Sequence, residues 1–474
     1  MTAAHSDSVA LPDSTTPAAT RPESKARLAL RTRLAFGMGD FGLNLYWQAT
    51  TLYLLYYYTD VVGLSPVTAG WIFSGAVLWD ALCDPVVGYV ANRTRTRWGR
   101  YRPYLLYGCV PLAVSFVAMF VPAGMAGGIG LTAFVLGTHV LFRTAYTVLS
   151  MPYDSLMATL TDDSRERGSL AAYRMICAST AGVVVALSML KLVHVFGPTD
   201  ERHGFLVVAI VYAAASLPVL LFTFCCTAER IGADAHPISV REAFAAVSRN
   251  RAFLLICGMS IALFAASTVM SKMLPYLLKY VLHREDLIGT ALGVVALQAF
   301  VAIPFWAWIM RRTSKRRVAL LGCGFTIAGN AMLGALGLQG IGVPSFLVAL
   351  GVIGFGTAAT SLSLWAMIPD TVEYGQWRTG VRGEGTLFGV VAFVRKAALA
   401  IAVAGIGHVL GAIGFVANQP QSKAAIDGMW ALQWQGPAVL LGIAALFAYC
   451  YPVSPDLHGK IVRDLHARRT HPSA

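Results

Sequence analysis

Long apolar segments, separated by short polar breaks, follow one another along most of the chain. A helix that crosses a bilayer needs about 20 residues at about 1.5 Å each. Segments of that length predict twelve helices, at about 35–59, 66–91, 103–123, 128–152, 169–196, 204–226, 251–281, 286–310, 318–338, 343–368, 385–414 and 431–452. The pattern is typical of an all-α membrane protein.

Two aspartates, Asp80 and Asp84, interrupt the second apolar segment. Their spacing places both carboxyl groups on one helix face, where the charges repel each other unless a cation lies beside them. Because a carboxylate is costly in hydrocarbon, such acids face a cavity, a cation or a counter-charge. The pair therefore indicates a cation-coupled membrane carrier.

Polar side chains also form a stripe on the predicted first helix. Asp40, Asn44, Gln48 and Thr51 recur at helical spacing, and Trp47 lies beside them. A stripe of this kind serves either helix packing or the lining of a cavity. We favour a cavity lining, because small-molecule sites combine a few placed polar groups with aromatic side chains.

The fourth predicted helix repeats this arrangement with His139, Arg143, Thr147, Ser150 and Asp154. We expect Arg143 to pair with an acid, and the second helix is a candidate source. We expect His139 to be a packing residue rather than a proton relay.

Lys272 lies deep in the predicted seventh helix, about 13 Å from its end. A lysine at that depth needs an anion. An internal salt bridge, with Asp40 as one candidate, is the favoured interpretation; a carboxylate on a substrate is the alternative.

Composition supports the membrane assignment. The chain is 56% hydrophobic and 13% charged, against about 45–50% and about 25% in soluble domains. The net charge is +13, and basic residues cluster in short loops between apolar segments, which is typical of membrane topology and argues against nucleic-acid binding. Neither a phosphate-binding glycine loop nor a nucleophile–base motif is found, so we predict a protein that is not an enzyme.

The basic loops set the expected orientation and domain organisation. By the positive-inside rule, the loops around 93–102 and 311–317 and both termini are cytoplasmic. Pro152 and Pro369, each predicted to end a helix, repeat at a spacing of 217 residues. This repeat predicts two six-helix bundles, 35–226 and 251–452, joined by a cytosolic linker, 227–250. We expect a disordered cytosolic tail at 1–34 and a cytosolic tail at 453–474.

Several motifs carry a family resemblance. They are GDFGLN at 39–44, YLLYYYTDVVGL at 53–64, WDALCDPVVG at 79–88, NRTRTRWGRYRPYLL at 92–106, MPYDSL at 151–156, RERGSLAAYR at 165–174 and DTVEYGQWRTGVRGEG at 370–385. In this order they resemble the glycoside–pentoside–hexuronide:cation symporters, the family of the melibiose and glucuronide carriers. The resemblance implies the major facilitator fold, two pseudo-symmetric bundles, alternating access, and no cofactor besides a coupling cation.

The resemblance also implies a cation site at Asp80 and Asp84, with Thr147 near it. Cys83 stands where the melibiose carrier has an asparagine that binds the cation. A thiol is a poor ligand for Na⁺, which prefers oxygen. The coupling cation is therefore H⁺ or Na⁺, with H⁺ favoured.

For the sugar, Asn44 and Ser150 occupy the positions of two acids that bind hydroxyl groups in the melibiose carrier, which argues against melibiose as the substrate. Arg174 and Lys396 match positions implicated in substrate binding or site organisation. The predicted substrate-binding residues are Asp40, Asn44, Trp47, Gln48, Tyr146, Ser150, Arg174, Lys272 and Lys396.

Charged residues near the predicted cytoplasmic side form a candidate gate. Salt bridges between the two bundles there would hold the outward-facing state and break for inward opening. Solvated loop charges are the alternative interpretation. The candidate gate residues are Asp154, Arg167, Asp370, Glu373 and Arg382.

Together these features predict cation-coupled symport of a glycoside, oligosaccharide or hexuronide across a bacterial inner membrane, by a protein that works as a monomer. Its expected partners are a sugar-like substrate and the lipid bilayer. A lysolipid carrier of the same fold is one alternative, since vertebrate relatives of this family move such lipids, but the polar stripes argue against it. A membrane sugar sensor that does not transport is another, and the short tail at 453–474 offers it no output domain.

Overall fold

The structure is a computed structural model of the chain. It describes residues 28–121, 128–161, 164–229, 248, 250–336, 342–379 and 384–470. Residues 1–27 of the predicted tail, most of the predicted linker and Arg382 lie outside the described residues. Within the described ranges the chain is helical and contains no β-strand.

The described chain forms helices that follow the predicted order. They are α1 Leu30–Tyr56, α2 Pro66–Arg93, α3 Arg102–Ala118, α4 Gly128–Leu160, α5 Ser164–Phe196, α6 Glu201–Cys226, α7 Arg251–Tyr276, α8 Ile288–Arg312, α9 Lys315–Leu336, α10 Val343–Thr379, α11 Glu384–Ala412, α12 Lys423–Tyr449 and α13 Pro455–Thr470. Helices α1 and α7 each continue into a π-helical turn, Tyr57–Val61 and Leu277–Val281 respectively. Ten of the described helices, α2 and α4 to α12, are long and apolar enough to cross a membrane, and α3 is a shorter apolar helix.

Two helices continue beyond the proline at which the sequence predicts each of them to end. Pro152 and Pro369 were expected to end a helix each, but α4 and α10 continue through them. In a membrane bundle a proline is tolerated inside a helix, because neighbouring groups satisfy the freed backbone carbonyls. Helix α1 also begins before the predicted residue 35, and part of the predicted tail at 453–474 forms α13.

Among the described residues, the main contacts between the first six helices and the second six are those of α2 with α11, α5 with α8, and α1 with α7. Glycine permits a close approach of α2 and α11. A Cβ atom on Gly407 of α11 would lie 2.4 Å from the carbonyl oxygen of Pro66 in α2. Further along the same pair, Ser74 donates a 2.6 Å hydrogen bond to the carbonyl oxygen of Ala400.

We call the end of the bundle with the α2–α3 and α8–α9 loops the arginine-rich end, and the other the opposite end. At the opposite end the two sets of helices are joined by a polar network. Lys279 lies 3.0 Å from Asp60, whose carboxylate also accepts a hydrogen bond from Tyr280. Tyr56 donates to Glu285 at 2.6 Å. Because Asp60 and Tyr56 belong to the first set and their partners to the second, these contacts hold this end closed.

Candidate functional site

The carboxylates of α2 meet a lysine of α11. The Lys396 Nζ lies 2.9 Å from Asp80 Oδ2 and 2.6 Å from Asp84 Oδ2. The Asp80 side chain is 1% exposed, whereas that of Asp84 is 13% exposed. One ammonium group therefore offsets the repulsion that the spacing of the two aspartates creates, and it comes from the other set of six helices.

Helix α4 supplies a second positive charge. Arg143 is fully buried, and its Nη1 lies 3.6 Å from Asp80 Oδ2, so the expected pairing of Arg143 with an acid of the second helix is confirmed. Thr147 donates a hydrogen bond to Asp80 and a longer one, 3.4 Å, to Asp84. His139 accepts a 3.3 Å hydrogen bond from Arg143 and is fully buried, as a packing residue is. Two carboxylates thus face two cations.

Beside this cluster, a cavity of about 420 Å³ lies between the two sets of helices. That volume falls within the range of about 300–1,000 Å³ that is usual for small-molecule sites. The rings of Trp47 and Tyr146, whose centroids are 5.4 Å apart, form an aromatic wall. The cavity brings together seven of the predicted cation-binding and substrate-binding residues: Asn44, Trp47, Asp84, Tyr146, Ser150, Lys272 and Lys396.

Three of the predicted substrate-binding residues lie outside this lining. Gln48 lines a second cavity, of about 290 Å³, which shares Ser267 and Ser271 with the first. Asp40 and Arg174 pair with each other at 3.3 Å. Among the described residues Lys272 forms no salt bridge, so the favoured interpretation of an internal salt bridge is wrong for this state, and its candidate partner Asp40 pairs with Arg174 of α5 instead.

The lining also contains residues that sequence reasoning missed. Ser267, Thr268 and Ser271 of α7 add hydroxyl groups, and Arg395 of α11 adds a charge. The signal for Arg395 was present in the sequence, since it directly precedes Lys396 inside a long apolar segment. Two adjacent bases at membrane depth are as conspicuous as the two aspartates.

The acids predicted for the gate have partners within their own set of helices. Asp154 lies 2.5 Å from Arg174, and Asp370 lies 2.6 Å from Lys315. Glu373 lies 2.7 Å from His458 of α13. Arg167 is in the first turn of α5. Salt bridges between the two sets of helices at the arginine-rich end therefore stay a prediction, made for the outward-facing state.

Candidate oxygen ligands for a bound Na⁺ are the carboxylates of Asp80 and Asp84 and the hydroxyl of Thr147. Lys396 lies where such an ion would contact both carboxylates. Cys83, half-buried on the same helix, would add sulfur rather than oxygen. At the opposite end, potential ligand atoms of His194, Glu201 and Glu285 lie within 4.8 Å of one another, but Lys279 is 3.9 Å from Glu285 and competes for its carboxylate.

Comparison with known proteins agrees with this architecture. A family model described as MFS/sugar transport protein matches residues 35–455. The chain is 29% identical to the isoprimeverose transporter of Lactiplantibacillus pentosus over 464 residues, 96% of each protein. It is 28% identical to the glucuronide carrier protein homolog of Escherichia coli K12 over 445 residues, 94% of this chain and 97% of that protein.

Solved structures support the fold. A bacterial homologue of the human lysosomal transporter Spinster matches with a TM-score of 0.66 at 12% identity, covering 92% of this chain and 98% of that one. The nucleoside transporter NupG matches with a TM-score of 0.64 at 14% identity, covering 89% and 98%.

These matches confirm the predicted family resemblance and the predicted major facilitator fold. They extend over nearly the whole chain, and the relatives are transporters, so the prediction that the protein is not an enzyme is also confirmed. The chain belongs to the MFS/sugar transport protein family and is a multi-pass membrane transporter of sugars.

Proposed function

We propose that the protein is a cation-coupled symporter of a glycoside, oligosaccharide or hexuronide, and that the coupling cation acts at Asp80 and Asp84. The observation that carries this proposal is the position of Lys396, whose ammonium lies between the two carboxylates and also lines the cavity. The relatives named as symporters and sugar carriers support it.

The geometry offers a physical link between the cation and the sugar. In the described state Lys396 is held by two carboxylates. A cation that neutralises one of them weakens this hold, and the ammonium is then free to donate hydrogen bonds to sugar hydroxyls in the cavity. Sugar binding in turn removes Lys396 from the acids and favours the cation. Such coupling is reciprocal by thermodynamic necessity.

We propose H⁺ rather than Na⁺ as the cation. A proton needs a single carboxylate oxygen, whereas Na⁺ needs a shell of several oxygen ligands. Here the neighbours of the carboxylates include the ammonium group of Lys396 and the thiol of Cys83, and neither supplies an oxygen. Asp84 is the more accessible carboxylate of the pair. Its side chain lines the cavity and is partly exposed, while Asp80 is enclosed by Arg143, Thr147 and Lys396.

We also propose that the described state is inward-facing. The positive-inside rule makes the arginine-rich end cytoplasmic, and the Asp60–Lys279 pair then closes the extracellular end. In the outward-facing state Asp154, Asp370 and Glu373 would exchange their present partners for Arg167 and Arg382. Because the cavity forms between two halves of one chain, a monomer in a bacterial inner membrane is sufficient for transport.

The test is uptake into proteoliposomes with an imposed pH gradient or Na⁺ gradient, using a panel of glycosides and hexuronides. We expect Asp80→Asn and Asp84→Asn to lose uphill accumulation and to retain more of the exchange measured by counterflow. Asp286→Asn is the matched control, because Asp286 is an exposed acid whose partner among the described residues is Arg284 beside it. Full gradient-driven uptake in both variants would refute the coupling site, and a steep Na⁺ dependence at fixed pH would refute proton coupling.

A further inference from the structure

Two basic side chains of the cavity lack the acidic partner that the other buried bases have. Arg143, Arg174 and Lys396 each form a salt bridge with an aspartate. In the part of the chain that the structure describes, Lys272 and Arg395 form none, although both line the cavity. A charge at membrane depth without a counter-ion is costly, so such residues mark substrate or ion sites.

Arg395 is positioned by aromatic rings rather than by acceptors. Its guanidinium carbon lies 4.9 Å from the ring centre of Phe264 and 5.3 Å from that of Trp365. These ring contacts orient the planar guanidinium group but are not hydrogen bonds. The buried Nε of Arg395 has no hydrogen-bond partner. Because an arginine does not lose its proton in proteins, the charge persists in every state of the transport cycle.

Lys272 is similarly under-satisfied. Its side chain is buried, and its Nζ contacts the carbonyl oxygen of Thr50 at 3.4 Å and the face of Phe73 at 4.3 Å. An ammonium group can donate three hydrogen bonds, so the carbonyl leaves most of its capacity unused.

The charged residues of the cavity lining also indicate an anionic ligand. Lys272, Arg395 and Lys396 are positive, and Asp84 and Asp154 are negative. Both acids are already paired, with Lys396 and with Arg174. The free charge that the cavity offers to a ligand is therefore positive.

We propose that Arg395 and Lys272 bind an oxoanion on the substrate, so that the protein carries an acidic sugar, a uronide or a sulfonated sugar. This inference rests on the proposed sugar symport. The fork of N–H donors in Arg395 matches a carboxylate or sulfonate geometrically. Asn44 and Ser150 on the facing helices then bind hydroxyl groups, and Trp47 offers an aromatic face to the sugar ring. The neutral polar residues of the first six helices thus bind the hydroxyl groups of the sugar, and the unpaired bases of the second six bind its acidic group.

The test compares sugars that differ only in the acidic group. Proteoliposomes are assayed with matched pairs of methyl glycosides, glucoside against glucuronide and galactoside against galacturonide, and with a sulfonated glucoside as a further arm. We expect a higher kcat/KM for an acidic member, and the preferred arm distinguishes carboxylate from sulfonate. Transport of neutral members alone overturns the inference and leaves sugar symport intact, whereas transport of no member in either direction overturns the proposed function itself.

Variants then assign the preference to residues. We expect Arg395→Gln to lower kcat/KM for the acidic member about 30-fold more than for its neutral match, as the loss of one partner of a buried charge pair does. Arg395→Lys, which keeps the charge, should lose less, and Lys272→Gln should act in the same direction as Arg395→Gln. Arg251→Gln is the matched control, since Arg251 is an exposed arginine at the first residue of α7. If Arg395→Gln leaves the ratio of kcat/KM between the acidic member and its neutral match unchanged, the role of Arg395 in binding the oxoanion is refuted. If the wild type carries only the acidic member, an unchanged KM for that member in Arg395→Gln refutes it.

Discussion

Replacement of Lys279 by methionine should open the closed end of the bundle. The Asp60 side chain is fully buried and lies 3.0 Å from Lys279, which is the cation that balances its charge. Asp60 also accepts hydrogen bonds from Tyr280 and, at 2.7 Å, from Thr59. In Lys279→Met these two hydroxyl groups remain, but the carboxylate is left without a counter-charge between α1 and α7.

The magnitude follows from that burial. Removal of one partner of a buried salt bridge costs about 3–5 kcal/mol, because the remaining charge stays desolvated. The two remaining hydroxyl donors to Asp60 favour the lower bound of about 3 kcal/mol, which is roughly a hundredfold in an equilibrium constant. The closed end should therefore open about a hundred times more often relative to the wild type.

Hydrogen–deuterium exchange in nanodiscs measures this opening directly. We expect faster exchange in peptides that cover 57–61 and 277–281, the two π-helical turns that carry the network. The double variant Asp60→Asn with Lys279→Met should regain part of the protection, because no charge is left unpaired. Arg284→Gln, which removes an exposed pair with Asp286, is the control and should have no effect. Unchanged exchange in Lys279→Met would refute the role of this pair in closing the end.

Two further substitutions test the cation site and the closed interface. Cys83→Asn should add or strengthen Na⁺ stimulation of uptake by supplying an amide oxygen near the aspartates, and an Na⁺ response identical to that of the wild type would contradict this. Gly407→Ala should disfavour the closed end, because its Cβ atom would lie 2.4 Å from the carbonyl oxygen of Pro66. Faster exchange at 57–61 would reveal that effect, and Gly405→Ala, on the same helix with nothing within 4 Å of its Cβ atom, should leave exchange unchanged.

The sequence by itself determined the helices, their order and the face that carries the acids. These properties are local: the length of an apolar segment sets whether it crosses the bilayer, and a spacing of four residues places Asp80 and Asp84 side by side. It also predicted that the acids need a cation and that Arg143 needs an acid, because an unpaired charge is costly in a membrane whichever fold surrounds it.

Only the tertiary structure decided which charges meet. Lys396 is 312 residues away from Asp84 in the chain, and no local pattern specifies a contact between two sets of helices. The same limit explains why Asp40 was a wrong candidate partner for Lys272, since Arg174 of α5 forms the salt bridge with Asp40. It also explains why Arg395 was missed. That a base lies in an apolar segment is visible in the sequence, but that it faces a cavity without an acid beside it depends on how six helices pack against six others.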